Sequence, residues 1–352
     1  MKKERLIYLD IIRIFAFMCI IIIHFNASVS GYDIFGKFEY PNHIIPNFYA
    51  GCYLGDIGVG LFFILTGACL QHVYGEIELS KKSIINFYKK RWLSLFPMYY
   101  ITFFIFTLFS FIWNKGYPNI NEWHFICSLL GIDGYCMALR QVGYETYQCG
   151  EWFLGCIICI YLIYPIISKV TNKLPIATFL ISITSYFLFL KMGLNDRWFF
   201  IEIPYILMGI YFIKYFNTVI TSRKLWIFTF ILIFIRIFAG NSLHSHTICL
   251  ITCWTLFLLI ILAYKAINKF STVLKSEKAH KLIPYIGILT YPLFLVHHKV
   301  ISILAQLFDL TNFPYRYTVL LFIVYILITT WLSLYIYRLS NNLPKISKKE
   351  QL

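Results

Sequence analysis

Apolar residues run through this chain in long stretches broken by short polar and basic segments. The runs are too long for strands and too continuous for helices that bury only one face. A helix needs about 20 apolar residues to cross the hydrocarbon core of a bilayer. Read at that length, the chain predicts roughly ten spans, starting near residues 7, 50, 95, 151, 174, 198, 224, 246, 282 and 317. The stretch Lys81 to Arg91 sets Ile84, Ile85 and Phe87 against lysines and reads as an interfacial helix leading into the third span. The second span, GDIGVGLFFILTG from Gly55 to Gly67, is too rich in glycine for an ordinary lipid-facing helix. It predicts close approach, either to another helix or to a ligand. The expected fold is an all-α polytopic membrane protein: a transmembrane domain over residues 1–340 and a short polar tail over 341–352. No internal repeat and no appended soluble domain is visible.

Composition agrees with this reading. Hydrophobic residues make up 59% of the 352 positions, only 13% are charged, and mean hydropathy is +0.71, beyond what a water-soluble core accommodates. The 31 Lys and Arg residues fall mostly at the chain ends and in alternate loops, around Lys81–Arg91, Lys169–Lys173, Arg223–Lys224 and Lys265–Lys281. Basic loops stay cytoplasmic, so both termini are expected there. That bias, with anionic lipid as its counterpart, accounts for the net charge of +15 and leaves no need for a nucleic-acid partner. The first run lacks a small-residue cleavage site, so it is expected to stay on the protein. The ten cysteines follow no metal-ligand spacing, and no metal site is expected. Cys127, Cys136 and Cys149 fall in the longest outer segment, where a disulfide such as Cys136 to Cys149 is possible in an oxidising compartment.

Ionisable residues inside apolar runs are costly and mark function or buried pairing. Arg13 and His24 both lie in the first span. Eleven residues apart, they share one helix face within about 20° and stand roughly 16 Å apart. Asp10, one turn before Arg13, can hold its guanidinium in a charge-assisted pair. A first polar group is expected at the inner side: Asp10, Arg13, Lys89, Lys90 and Arg91, with Tyr99 and Tyr100 after Pro97. A second is expected toward the outside: His24, Arg140, Glu151, Trp152, Glu202, Arg236, and His297 with His298 and Lys299. The inner group suits the phosphates of an acyl-CoA. The outer one predicts a polar chamber, although some members could be structural ion pairs.

Taken together these residues resemble the membrane acyltransferase 3 family. Leu9-Asp10-x-x-Arg13 and the Arg13-x10-His24 spacing are similar to its first-helix signature. Gly58-Val59-x-x-Phe62-Phe63-x-x-Thr66-Gly67 resembles the second-helix motif, with Thr66 where serine is commoner. Arg91-x-x-Ser94-x-x-Pro97-x-Tyr99 resembles the third-helix motif, with Ser94 replacing its second arginine. Glu151-Trp152-Phe153-Leu154 with Tyr161 and Pro165 resembles the middle motif, with Ile157 where many relatives carry glutamate. Tyr205 to Gly209, and Thr290-Tyr291-x-x-Phe294-Leu295-x-His297, resemble the remaining two.

The resemblance implies an O-acyltransferase of the bacterial cytoplasmic membrane. Such an enzyme moves an acyl group, foremost acetyl, from cytoplasmic acyl-CoA to a hydroxyl of a cell-surface or lipid-linked glycan. It uses acyl-CoA as donor substrate and holds no permanent cofactor. Arg91, Lys90, Lys89, Arg13 and Tyr99 would hold the donor. His24 would be the general base, since an imidazole accepts a proton near neutral pH. Arg13 and His297 would complete the catalytic group. Trp152, Glu151, Arg236, Glu202 and Arg140 would face the acceptor. A proton-coupled exporter or flippase of a glycan intermediate would carry similar intramembrane charges. It would have no evident use for the basic cluster at Lys89 to Arg91.

Overall fold

The computed structural model describes residues 4–29, 43–49, 51–113, 124–139, 149–150, 152–194, 197–216, 223–239, 242–308 and 315–342. It is almost wholly helical. Helix α1 (Ile7–Val29) is followed by a two-residue hairpin, β1 (Phe48–Tyr49) and β2 (Cys52–Tyr53), then by α2 (Leu54–Tyr74) and α3 (Lys81–Trp113). Two short helices, α4 (His124–Leu129) and α5 (Asp133–Ala138), precede α6 (Trp152–Lys173) and α7 (Pro175–Lys191). Helix α8 (Ile203–Tyr211) runs into a π-helical turn over Phe212–Phe216. Then come α9 (Arg223–Ala239), α10 (Ser245–Phe270), α11 (Glu277–Leu307) and α12 (Tyr315–Asn342).

Each expected apolar run holds a helix. Among the described residues seven helices are long and apolar enough to cross a membrane on their own, and α7, α8 and α9 are shorter. The protein is therefore an all-α multi-pass membrane protein. One expectation needs revising: Lys81–Arg91 is no separate interfacial helix but the first turns of the 33-residue α3, which continues through Pro97. Most of α3 faces outward, so its basic start and apolar remainder need no break between them.

Helix α2 is the hub. Its most apolar window is 72% buried, against 22% for the peripheral α12. It packs against α1, α8 and α10, and α1 in turn packs against α11. With lipid as solvent, such contacts depend on close van der Waals approach more than on expulsion of water. The glycines of α2 supply that approach. A Cβ on Gly58 would come 2.8 Å from the Ala16 carbonyl of α1. At the α2–α8 crossing, a Cβ on Gly67 would fall 2.0 Å from the Ile206 carbonyl, and one on Gly209 1.9 Å from the Ile64 carbonyl. Of the two sequence readings of this glycine-rich span, helix packing accounts for Gly58, Gly67 and the facing Gly209.

The α4–α5 segment is tied to α3 by polar contacts. Tyr99 and Tyr100 donate to the Ser128 and Leu129 carbonyls, and Ser128 Oγ donates to Asp133. Cys149 lies buried below the Tyr99 carbonyl, whereas the thiol of Cys136 has Cys127 as its neighbour; all three thiols are free.

Because backbone, and not a movable side chain, meets the added atoms, Gly209→Leu is expected to separate α2 from α8. The cost should be at the upper end of the roughly 1–3 kcal/mol typical of overpacking, or beyond it. A lower melting temperature and loss of the monodisperse peak in detergent would show it; a wild-type melt would contradict the packing.

Candidate active site

The basic end of the bundle is organised by one carboxylate. Asp10, 2% exposed in the first turn of α1, accepts from Arg5 Nε at 2.7 Å, Arg5 Nη2 at 2.8 Å and Arg13 Nη1 at 2.8 Å. Arg5 also reaches the Pro284 carbonyl of α11 at 2.9 Å. The carboxylate fits because Gly287 of α11 has no side chain; a Cβ there would sit 2.5 Å from Asp10 Oδ1. Arg13 is thereby held with its second nitrogen 3.2 Å from Cys69 Sγ of α2.

Arg13 lines a cavity of about 350 Å³ enclosed by α1, α2, α3, α6 and α11. Arg91 enters from the α3 side, over the rings of Tyr74 (5.2 Å) and Tyr161 (5.8 Å). The wall thus carries two guanidinium groups and, among the described residues, no carboxylate. Ile157 lines it apolarly, and the Ser94 hydroxyl turns back to the Arg91 carbonyl at 2.8 Å. Lys89 and Lys90 are exposed and do not line the cavity, since each helical step rotates a side chain about 100° away from Arg91. Tyr99, expected with the inner group, is buried and spent on the α4–α5 segment; Tyr291 and Tyr161 occupy the wall instead.

The other end of the same α1 face carries the histidines. The His24 ring lies 5.0 Å from that of His297 and 5.1 Å from that of His298. His297 is fully buried, with Nδ1 2.7 Å from the Phe294 carbonyl. A carbonyl only accepts, so the proton is on Nδ1 and, in the neutral ring, the Nε2 lone pair is left to accept. His24 opens onto a second cavity of about 400 Å³ lined also by Asp56, Trp152, Arg197, His246 and the β hairpin. Arg197 lies over the Trp152 ring at 4.4 Å, with a nitrogen 3.8 Å from Asp56 Oδ1. Buried Glu202 adjoins the same corner beside Tyr186 and Tyr205.

Arg236 stands apart from this chamber. Its Nε donates to Thr252 at 3.1 Å, behind the hairpin at Gly51. Arg140 and Glu151 lie outside the described residues. Sequence reading overlooked Arg197 and His246 and left Asp56 without a role. Arg197 lies between spans beside Asp196, where a loop arginine looks ordinary; only its position over Trp152 singles it out.

A layer of aromatic rings separates the two cavities. Phe153 of α6 lies 5.6 Å from Phe62, 5.0 Å from Phe63 and 5.6 Å from Phe294. Consecutive residues at the start of α6 thus face opposite ways: Phe153 closes the arginine cavity and Trp152 opens to the histidine chamber.

Asp10→Asn removes the charge that holds two arginines. Breaking a fully buried pair costs roughly 3–5 kcal/mol. A smaller loss is expected here, because the Arg5 and Arg13 side chains are 41% and 24% exposed. A melting temperature below wild type in nanodiscs checks this, and an unchanged one would mean that Asp10 does not organise the basic end.

A family model described as an acyltransferase domain matches residues 6–338. Among curated proteins, the acyltransferase MdmB of Streptomyces mycarofaciens is 25% identical over 126 residues. That alignment covers 35% of this chain and 31% of MdmB, so the chain spans about a third of this relative. No solved structure matches significantly. The match runs through all the motifs that suggested the resemblance, from Leu9 to His297, and the chain belongs to the acyltransferase 3 family.

Proposed function

We propose that this membrane acyltransferase moves an acyl group, foremost acetyl, from cytoplasmic acyl-CoA to a hydroxyl of a cell-surface or lipid-linked glycan. The observation that carries the reading is the pair of cavities strung along α1. One is cationic at Arg13 and Arg91 and is lined on one wall by Phe62, Phe153 and Phe294; the other bears His24. A donor with an anionic end and an acyl end, meeting an acceptor from the other side, fits that division.

Arg91 binds donor phosphate by charge-assisted hydrogen bonds, and exposed Lys89 and Lys90 add attraction at the rim. The pantetheine arm follows the cavity past Arg13, the Phe62–Phe153–Phe294 rings part, and the thioester reaches the chamber beside His24. His24 takes the proton of the acceptor hydroxyl as its oxygen attacks the thioester carbon. The tetrahedral species collapses, the carbon–sulfur bond breaks, and the CoA thiolate takes the proton back. The products are the glycan ester and free CoA. Arg13 serves as a positioner through its planar guanidinium. His297, fixed by the Phe294 carbonyl, orients the His24 ring. Trp152 offers a flat face and Arg197, Asp56 and Glu202 offer hydrogen bonds, a combination suited to a sugar ring.

Two outcomes are expected from purified protein supplied with acetyl-CoA, with CoA thiol release as the readout. His24→Ala should lower turnover by about 10²–10⁴-fold, the usual worth of a general base, while acetyl-CoA binding persists. Retained turnover would remove His24 from that role, and acyl-independent glycan flux in vesicles would favour export instead. Arg91→Ala should raise KM for acetyl-CoA by roughly 10–100-fold, equivalent to about 1.5–3 kcal/mol for a hydrogen bond to a charged group, with little change in kcat. An unchanged KM would place the phosphates elsewhere.

A further inference from the structure

On the flank away from both polar cavities, α7, α8, its π turn, α9 and α10 enclose a third cavity of about 510 Å³. Its lining is entirely apolar or aromatic, and it shares no lining residue with the arginine cavity or the histidine chamber. The size falls within the roughly 300–1,000 Å³ of ligand sites. Little in the wall is free to bond a polar ligand. The Tyr211 hydroxyl donates to the Pro175 carbonyl at 2.7 Å, and Trp254 buries its indole Nε1 with no hydrogen-bond partner among the described residues. The cavity is open at one side, since its lining residues Ile176 and Tyr215 are 76% and 44% exposed.

Two features set this cavity apart from a packing defect. The first is the π turn, a rare conformation that recurs at functional sites. Of its five residues, Phe212, Tyr215 and Phe216 line the cavity. The second is charge. Lys214 lies in the same π turn, with Nζ 3.2 Å from the Thr171 carbonyl and over the Tyr215 ring at 5.2 Å. Lys173 closes α6 two residues before Pro175 of the wall, and Arg223 and Lys224 open α9 immediately before Leu225 of the wall. Over residues 152–270 the only carboxylates are Asp196 and Glu202, and Glu202 lies in the histidine chamber's corner. The rim is thus cationic, and among the described residues of this region no carboxylate lies beside it.

We infer that this cavity is a binding site for an anionic phospholipid, with an acyl chain among Phe179, Phe228, Trp254 and Leu258 and its phosphate at Lys214 and Arg223. Basic pockets between membrane helices bind such headgroups. The cationic rim discriminates against a zwitterionic lipid, whose headgroup ammonium it repels. The wall belongs partly to α8, which packs on α2 through Gly209 and Gly67, so the bound lipid braces the helix that lines both polar cavities.

The test uses the full-length protein in detergent, titrated with phosphatidylglycerol or phosphatidylcholine carrying brominated acyl chains, with tryptophan fluorescence read out. Brominated phosphatidylglycerol should quench a component that is absent from Trp254→Phe, at concentrations where brominated phosphatidylcholine does not. Lys214→Gln should shift the midpoint by about fivefold, the worth of one cation near an anionic headgroup. Equal quenching by the two lipids, or the same quenching in Trp254→Phe as in wild type, would overturn the site. Displacement by a polyprenyl phosphate at lower concentration than by unlabelled phosphatidylglycerol would overturn the choice of occupant. Wild-type titrations alone decide between the lipids if a variant fails to fold.

Discussion

The Asp10 carboxylate is the constraint on which the basic end depends. A buried charge in the first turn of a membrane helix is stable only when paired, and Asp10 is paired twice, with Arg5 before it and Arg13 after it. Its pocket exists because α11 offers Gly287 at the crossing and the Pro284 carbonyl to Arg5. The ion cluster therefore fixes α11 against α1 as well as aiming Arg13. On the opposite end of the same two helices, His297 and His298 are brought to His24. One crossing sets both halves of the site.

The close packing of α2 has a comparable consequence. Its glycines bring in α1 and α8, while its intervening residues point to different chambers: Asp56 and Val59 toward the histidines, Thr66 and Cys69 toward the arginines. A helix with large side chains at the glycine positions would hold its neighbours apart and leave the cavities open to lipid. The aromatic layer then does what the glycines do not, filling the volume between the cavities with rings that are apolar and separable. Polar groups at Arg13 and His24 can thus share one helix face while remaining in separate compartments.

The family resemblance rested on six short motifs, and the family assignment bears it out, yet the individual residues fared unequally once placed. Arg13 and Arg91 line one cavity, His24 and Trp152 the other, and His297 lies against the His24 ring. Lys89, Lys90 and Arg236 point elsewhere, and Tyr99 is committed to holding α4 and α5. Arg197 and His246 took their places in the histidine chamber without any signal in spacing or hydropathy.

What the sequence determined by itself was the class of fold, the approximate position of every helix but the short α4 and α5, the shared face of Arg13 and His24, and the Asp10–Arg13 pair. These follow from local rules: the length of an apolar run, the 100° step of a helix and the reach between residues three apart. Tertiary structure decided which polar residues meet, because that depends on helix crossings between segments far apart in the chain. Arg197 over Trp152, His24 between His297 and His298, and the separation of two cavities by Phe153 are relations of that kind. The flank cavity is another, since its walls come from four helices and a π turn, and no single one of them announces an enclosed space.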